Sequence, residues 1–319
     1  MPLVYILILN FRNWQDTLEC LESVFQLEYP NFQVIVIDND SGNGSLERLI
    51  EHTRPSQWAA AGQLTAGTPG YQYFHSRDLG VTVHADSFSR LVFIQNQENT
   101  GFAGGNNIAL KLLTGEDAYI WLLNPDMTVQ KDTLTQLVRF AAEQPARSII
   151  GAVIKYHEQP GKVHFYGGCR IRFHSATIMP VTTADEVGRL DYISGGSLFT
   201  KAASFREIGL LPEEYFLYWE ETDWCYRARQ VGYQLAVCPT AICFDKVGTS
   251  IGRGFTAEYY YTRNGLMFVS RYKAGKIPFV VFFSLFRLMK RTLSGRWDRA
   301  RGIRKGILAY LKRDSNEAK

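Results

Sequence analysis

The chain is short of cysteine, and what it has is not arranged for metal or redox work. Its five cysteines (20, 169, 225, 238 and 243) include no Cys-x-x-Cys and no zinc-like pairing with the six histidines. An odd, scattered set reads as buried or free thiols in a reducing compartment. No basic segment precedes the apolar run Leu3 to Leu9, so a strand explains that run better than a secretory signal. No stretch reaches the roughly 18 to 20 apolar residues needed to cross a bilayer. A cytoplasmic chain is expected, with room for peripheral attachment to the inner face of the cell membrane. Internal repeats and low-complexity tracts are also missing.

The main body lacks any basic excess, although the formal net charge is +4. Between Arg287 and Arg313 stand ten Lys/Arg and one acid, Asp298, so this stretch carries +9 and the remainder −5. That distribution argues against nucleic-acid binding by the body of the protein. What is abundant is aromatic side chain, at 13%, which serves cores and sugar-binding surfaces alike. At 319 residues the chain is long enough for one large α/β domain with appendages, or two modest domains.

The first forty residues carry the clearest structural signal. Val4 to Leu9 is a continuous apolar run, as expected of a strand covered on both faces. A helical pattern follows from about Gln15 to Gln26, is broken at Tyr29-Pro30-Asn31, and gives way to the Val/Ile-rich run Phe32 to Ile37. Strand, helix, strand in this space predicts a βαβ unit and a parallel sheet. Residues 45 to 52 read as a short helix, and residues 55 to 90 as an irregular insertion. Further strands are expected at Leu91 to Gln95, Tyr119 to Leu123, Ile149 to Ile154 and Leu198 to Thr200. Helices are expected at Asn106 to Leu113, Lys131 to Glu143 and 223 to 231, with β-rich, loop-rich structure from 156 to 195.

Several apolar strands end in polar residues: Asn10, then Asp38-Asn39-Asp40, Asn96 and Asn124-Pro125-Asp126. Ligands of open α/β sheets sit beyond the carboxyl ends of the strands. Four such ends would line a crevice suited to a nucleotide; each alone also suits a turn or helix cap. Asn99 to Asn107 holds Gly101, Gly104 and Gly105 before a helix, which would let backbone approach a phosphate or simply connect strand to helix. Asp126 is placed to hold Mg²⁺ or Mn²⁺ against a diphosphate, or to act as a turn acid. The segment Tyr215 to Arg227 packs Glu220, Glu221 and Asp223 beside Trp219. A carboxylate there suits removal of a proton from an attacking hydroxyl. It also suits a helix N-terminus, with Asp223 and Arg227 forming an i,i+4 pair.

Taken together, VYILILNFRN, VIVIDNDSGNGS, ENTGFAGGNNIAL, WLLNPDM, YISGGSLFTKAASFREIGLLPEEYFLYWEETDWCYRARQVGY and YYYTRNGLMF resemble the family 2 glycosyltransferases, particularly their bacterial rhamnosyltransferase-like branch. The matching stretches run in the family's order from residue 3 to about 270, apart from 55 to 90. The resemblance implies a GT-A type, Rossmann-like α/β fold with a mostly parallel central sheet flanked by helices. It implies a glycosyltransferase domain over 1–270, with a nucleotide-sugar half at 1–130 and an acceptor half at 150–250. It further implies an inverting transfer of a sugar, rhamnose at the level of the branch, from a dTDP- or UDP-linked donor. The acceptor would be a glycan or lipid-linked hydroxyl in cell-envelope or polysaccharide synthesis.

Carried over by position, Asn10, Asp38 and Asp40 would hold base and ribose, and Gly101, Gly105, Asn106 and Asn107 would lie beside the ribose and diphosphate. Asn124 and Asp126 take the first and last places of a metal-binding DxD-like motif. Glu220-Glu221 matches an acidic pair whose second member is the usual base, here Glu221 where Asp is commoner; Asp223 lies just beyond it. Asp245 stands where the family often has a metal-ligating His, and as a hard oxygen ligand it suits Mg²⁺ or Mn²⁺. Tyr218, Trp219 and Glu220 would shape the acceptor side. A non-catalytic nucleotide-sugar or glycan-binding protein on the same fold is the alternative that Glu221 and Asp245 leave open.

Residues 271–319 form a separate expectation, a basic amphipathic helical extension. Phe279 to Met289 is apolar and aromatic and is followed by Lys290, Arg291, Arg296, Arg299, Arg301, Arg304 and Lys305. Such a segment either lies in a membrane interface with its cations on anionic headgroups, or packs on the catalytic domain with a solvated basic face.

Overall fold

The computed structural model describes residues 1–53, 71–79, 90–113, 117–247 and 254–317, the last five by backbone alone. The apolar runs become β1 (Leu3–Asn10), β2 (Phe32–Asp38), β4 (Leu91–Gln95) and β5 (Ala118–Leu123), all mutually parallel. Between them lie α1 (Trp14–Val24), α2 (Ser45–His52), β3 (Gln72–His75) and α3 (Gly101–Leu113). The chain continues through β6 (Met127–Val129), α4 (Thr133–Glu143), β7 (Ser148–Tyr156), β8 (Gln159–Phe165), β9 (Gly168–Arg172), β10 (Thr177–Pro180) and β11 (Tyr192–Ile193). It then forms β12 (Ser197–Lys201), α5 (Ala202–Ile208), α6 (Glu220–Gln230) and β13 (Gln234–Asp245), and ends in α7 (Phe255–Lys273), α8 (Ile277–Leu293) and α9 (Trp297–Glu317).

The main sheet runs β3-β4-β2-β1-β5-β12-β7-β13-β6, with β8 added to β7. Its first five strands are parallel; β12 enters antiparallel on both sides, so the second half is mixed. A small sheet of β10-β9-β11 stands apart. Alternate strand residues feed two cores, as a period of two demands. Tyr5 and Leu7 pack with α3, α6 and α7, and Val4, Ile6 and Ile8 with α1, α2 and α4. The result is the expected α/β architecture with a large sheet between helices and a helical C-terminus.

Several elements depart from the sequence reading: α5 and β13 have no expected counterpart, and two further departures bear on the site. Helix α3 begins at Gly101, five residues before the expected start, so the glycine-rich segment forms its first turns rather than a loop ahead of it. Part of the 55–90 segment joins the fold: Gln72–His75 pairs in parallel with β4 at the sheet edge. Residues 55–70 and 80–89 of that segment lie outside the described residues, and Ser76–Asp78 forms a single 3-10 turn after β3.

Candidate active site

The carboxyl ends of β1, β2, β4 and β5 bring the expected polar residues together. Asn10 and Asp38 are direct neighbours in the ladder, and both are buried. Asp38 accepts from Asn10 Nδ2 at 2.6 Å, Ser41 Oγ at 2.6 Å, Ser41 N at 2.9 Å and Gln95 Nε2 at 3.2 Å. Asn10 in turn accepts from the Thr17 hydroxyl at 2.8 Å. This pair is a fixed frame. Asp40 stands exposed just beyond it with φ +58, an uncommon conformation that turns the chain outward. The space above the frame is a cavity of ≈ 560 Å³ whose lining includes Asp38, Asp40, Ser41, His75, Gln95 and Asn96.

The glycines of α3 approach protein rather than open space. A Cβ at Gly101, which has φ +74, would lie 2.1 Å from the Phe216 carbonyl oxygen, and Phe102 N–H donates to that oxygen at 2.7 Å. A Cβ at Gly105 would meet Leu9 at 2.5 Å. Asn106 and Asn107 are buried, Asn106 donating to the Phe102 carbonyl and Asn107 bonding Leu211 and Glu213. These residues weld α3 to β1 and to the 211–216 segment. A second cavity of ≈ 290 Å³ opens beside this weld, its lining including Asn13, Asn39, Gly101, Asn124, Pro125 and Phe216.

The residues expected to hold a metal lie about the carboxyl end of β5 and the end of β13. Asp126 is buried, and its carbonyl accepts from Lys246 N–H at 3.2 Å. Asp245 ends β13 opposite Met127, one residue from Asp126. Its carboxylate accepts from Val247 N–H at 2.8 Å and faces His164 Nδ1 at 3.2 Å. Asn124 lies at the same strand end. Two carboxylates on adjacent strands and an amide are hard oxygen donors, which fit Mg²⁺ or Mn²⁺ and leave coordination places for waters and phosphate oxygens. Among the described residues no group of three or more His, Cys, Asp or Glu is gathered as a ready metal site. Lys246 stands beside them, paired with Asp16 at 2.7 Å and Glu19 at 2.5 Å.

Glu220 and Glu221 open α6 after a strained approach. Phe216, Tyr218 and Trp219 have φ of +64, +64 and +79, three side-chain-bearing residues in the left-handed region within four positions. Asn264 on α7 holds the segment, donating to the carbonyls of Tyr215, Leu217 and Tyr218 at 2.7, 2.7 and 2.9 Å. Gly265 makes room for the Trp219 indole, which a Cβ would meet at 3.1 Å. The indole is wholly buried and donates to the Tyr261 carbonyl, so it supports the loop from within; Tyr218 is half-buried against Tyr261.

One oxygen of each glutamate, Oε2, is buried without a hydrogen-bond partner. Burial drives the Glu220 carboxyl well above its ordinary 4.5, and the adjacent Glu221 charge adds to the rise. Burial raises Glu221 too, opposed by the backbone N–H groups of Glu221, Gly195 and Thr222, which favour its ionised form. Both carboxyls are thus raised, Glu220 well above the ordinary value, although the backbone N–H groups of Glu220 and Tyr218 favour its ionised form as well. Asp223, in contrast, is fully buried and committed to Tyr215, Arg227, Arg271 and Tyr272 at 2.8 to 3.1 Å.

The Ser194-Gly195-Gly196 turn joins the two sides. A Cβ at Gly195 would lie 3.0 Å from Phe102 and 3.6 Å from Glu221 Cγ, and one at Gly196 would lie 3.6 Å from Asn124 Nδ2. Glu221 and Asn124 thus flank consecutive glycines. Sequence reasoning missed these glycines, Gln95, Ser41, His164 and Asn264 as parts of the site. The dipeptides Gly195-Gly196 and Asn264-Gly265 were signals in plain view.

Comparisons with known proteins agree with the fold. Residues 80–183 match the family described as Glycosyl transferase family 2. The low-salt glycan biosynthesis hexosyltransferase Agl10 of Haloferax volcanii is 26% identical over 156 residues, 46% of this chain and 48% of that protein. The rhamnosyltransferase WbbL of Escherichia coli is 23% identical over 155 residues, 44% of this chain and 58% of its own length. The aligned part thus spans about half the length of these relatives. Among solved structures, the mannosyltransferase PcManGT from Pyrobaculum calidifontis, in complex with GDP-Man and Mn²⁺, has a TM-score of 0.55 at 14% identity and covers 97% of this chain and 87% of that one. The GT-A fold and the family resemblance are borne out.

Proposed function

We propose that this chain, which resembles the family 2 glycosyltransferases in sequence and has the GT-A fold, transfers a sugar from a nucleoside diphosphate to an acceptor hydroxyl with inversion. One observation carries the reading: a strained, clamped loop presents the buried Glu220-Glu221 pair across the Gly195-Gly196 turn from Asn124. An ionisable carboxylate on one side of a small gap and hard oxygen donors on the other suit attack at an anomeric carbon between them.

Glu221 takes the acceptor proton as the acceptor oxygen attacks. Asp126, Asp245 and Asn124 would hold Mg²⁺ or Mn²⁺, which would offset the charge gathering on the departing diphosphate. Asp38 and Asp40, framed by Asn10, face the nucleoside; the turns of α3 containing Gly101, Gly105, Asn106 and Asn107 form the adjoining wall. Tyr218 borders the acceptor side, with Trp219 beneath it and Asp223 fixing the helix. The donor is a dTDP- or UDP-sugar, with rhamnose the first candidate. The acceptor is a cell-envelope glycan or lipid-linked chain, met at the inner membrane surface by the C-terminal helices.

The test is release of nucleoside diphosphate from a donor panel, with Mn²⁺ or Mg²⁺ and with chelator, for wild type and Glu221→Gln. Metal-dependent turnover that falls by about 10³-fold or more in the variant, while nucleotide still binds, is the expected result. Nucleotide binding without turnover of any donor by the wild type would replace this reading with the non-catalytic one.

A further inference from the structure

Helix α8 is amphipathic the wrong way round for a surface helix. Phe279, Phe282, Phe283, Leu285, Phe286, Met289 and Leu293 all face outward, with Phe282 63% and Leu293 79% exposed. At 100° per residue these positions share one side of the helix, with Lys290 among them. The opposite side carries Arg287 and Arg291, which turn inward to Glu258 on α7 at 3.7 and 3.1 Å; Arg299 of α9 joins them at 2.8 Å. Val280 and Ser284 complete the inward face. Water-soluble surfaces seldom leave so continuous an apolar stripe uncovered. The His174 ring stands edge-on to Phe279, but all seven side chains keep 43% or more of their surface exposed, and among the described residues no helix is long and apolar enough to cross a membrane.

Exposed cations precede, interrupt and follow the stripe along the chain. Lys273, Lys290, Arg296, Arg301, Arg304 and Lys305 are all exposed, and Trp297, 64% exposed, stands at the start of α9. Beside the stripe lies a cleft of ≈ 230 Å³ lined by Arg172, Ser175, Thr177, Phe283, Ser284 and Arg287. Two guanidiniums and three hydroxyls around one small opening suit a phosphate monoester or diester. Arg172 is exposed and makes no ion pair among the described residues. Phe283 belongs both to the cleft and to the apolar face.

We infer that α8 lies in the interface of an anionic phospholipid bilayer, its phenylalanine face among the acyl chains and a lipid phosphate in the Arg172–Arg287 cleft. The apolar face, the exposed cations and the phosphate-sized cleft point to the same partner from separate observations. A second protein copy would match the stripe but would not need the cleft. The inference deepens the expected membrane contact and does not depend on the sugar-transfer reading. The inward pairing with Glu258 fixes which face is offered, so no rearrangement of the fold is required.

Vesicle flotation of the full chain tests it, using phosphatidylcholine alone and phosphatidylcholine with 30% phosphatidylglycerol. Wild type is expected to float with the anionic vesicles and to partition onto the neutral ones at least about tenfold less. Phe282→Glu/Phe286→Glu, both outside the core, should stay in solution with either. Arg172→Glu should lose most of the preference for the anionic vesicles while keeping its weak neutral binding. Unchanged thermal melting and unchanged donor hydrolysis in detergent-free buffer would show that the variants are folded and that the transferase reading stands separately. Wild type remaining in solution with both vesicles, or equal flotation of the Phe282/Phe286 variant, overturns the inference. So does a wild-type dimer that the Phe282/Phe286 variant converts to monomer while neither floats, since the stripe would then be a self-interface.

Discussion

At the scale of single residues, the pair Glu220-Glu221 has a consequence for pH. Glu220 holds its proton in the folded chain above the ordinary 4.5, where an unfolded chain would have lost it. The folded state therefore binds more protons over that interval, and stability falls as pH rises from about 4.5 through the raised value. Glu220→Gln removes the ionisable group while keeping its shape and neutrality. The variant should melt about 2–4 °C higher than wild type at pH 8 and at nearly the same temperature at pH 4, read by calorimetry across pH. Glu221 has the opposite task. Because burial raises it, nucleoside diphosphate release should fall on the acid side at a higher pH than an ordinary carboxylate would give, and Glu220→Gln should leave that acid limb in place. A limb that moves with Glu220→Gln would mean that the two carboxyls exchange roles. The residue types at this site were legible in the sequence, because acids beside a Trp form a compact string. The rise of both carboxyls was not, since it depends on burial by parts of the chain far from α6 in sequence.

At the scale of elements, the loop 215–219 is held by a helix forty-odd positions away. Three left-handed residues cost on the order of 1–3 kcal/mol each and persist only where surroundings hold them. Asn264 is the main holder, because one amide serves three carbonyls. Asn264→Ala should destabilise the protein by about 2–3 kcal/mol in urea unfolding, and should lower transferase turnover about tenfold or more in protein that remains folded. A variant that loses the stability but keeps full turnover would show that the loop holds its shape unaided. Strands β1, β2, β4 and β5 were legible because both of their faces are buried, which writes a continuous apolar run. Strand β3 was not: its residues are half-buried at a sheet edge and carry no such run. The early start of α3 was hidden for another reason. Gly101, Gly104 and Gly105 read as loop formers, yet each is demanded by a neighbour that touches the helix, Phe216, Thr100 and Leu9 respectively.

At the scale of the whole molecule, Glu258 ties the three C-terminal helices into one body. It is buried on α7 and receives Arg287 and Arg291 from α8 and Arg299 from α9. Removing one member of a buried ionic cluster leaves the others desolvated and unpaired, at a cost of about 3–5 kcal/mol. Glu258→Ala should therefore loosen α8 and α9 from the rest before the sheet unfolds. Limited trypsinolysis should cut first at Arg287 and Arg291, which the wild type shields, leaving a resistant core of the sheet and its helices. Simultaneous loss of core and tail would instead mean that the helices and sheet unfold as one unit. The basic tail and its apolar neighbour were plain in the sequence, and both candidate arrangements for them were open. Periodicity tells which residues share a side of a helix; it does not tell which side turns inward. Here the side with arginines turns inward because a single buried carboxylate in another helix accepts them. That choice, made by Glu258, is what leaves seven apolar side chains facing out.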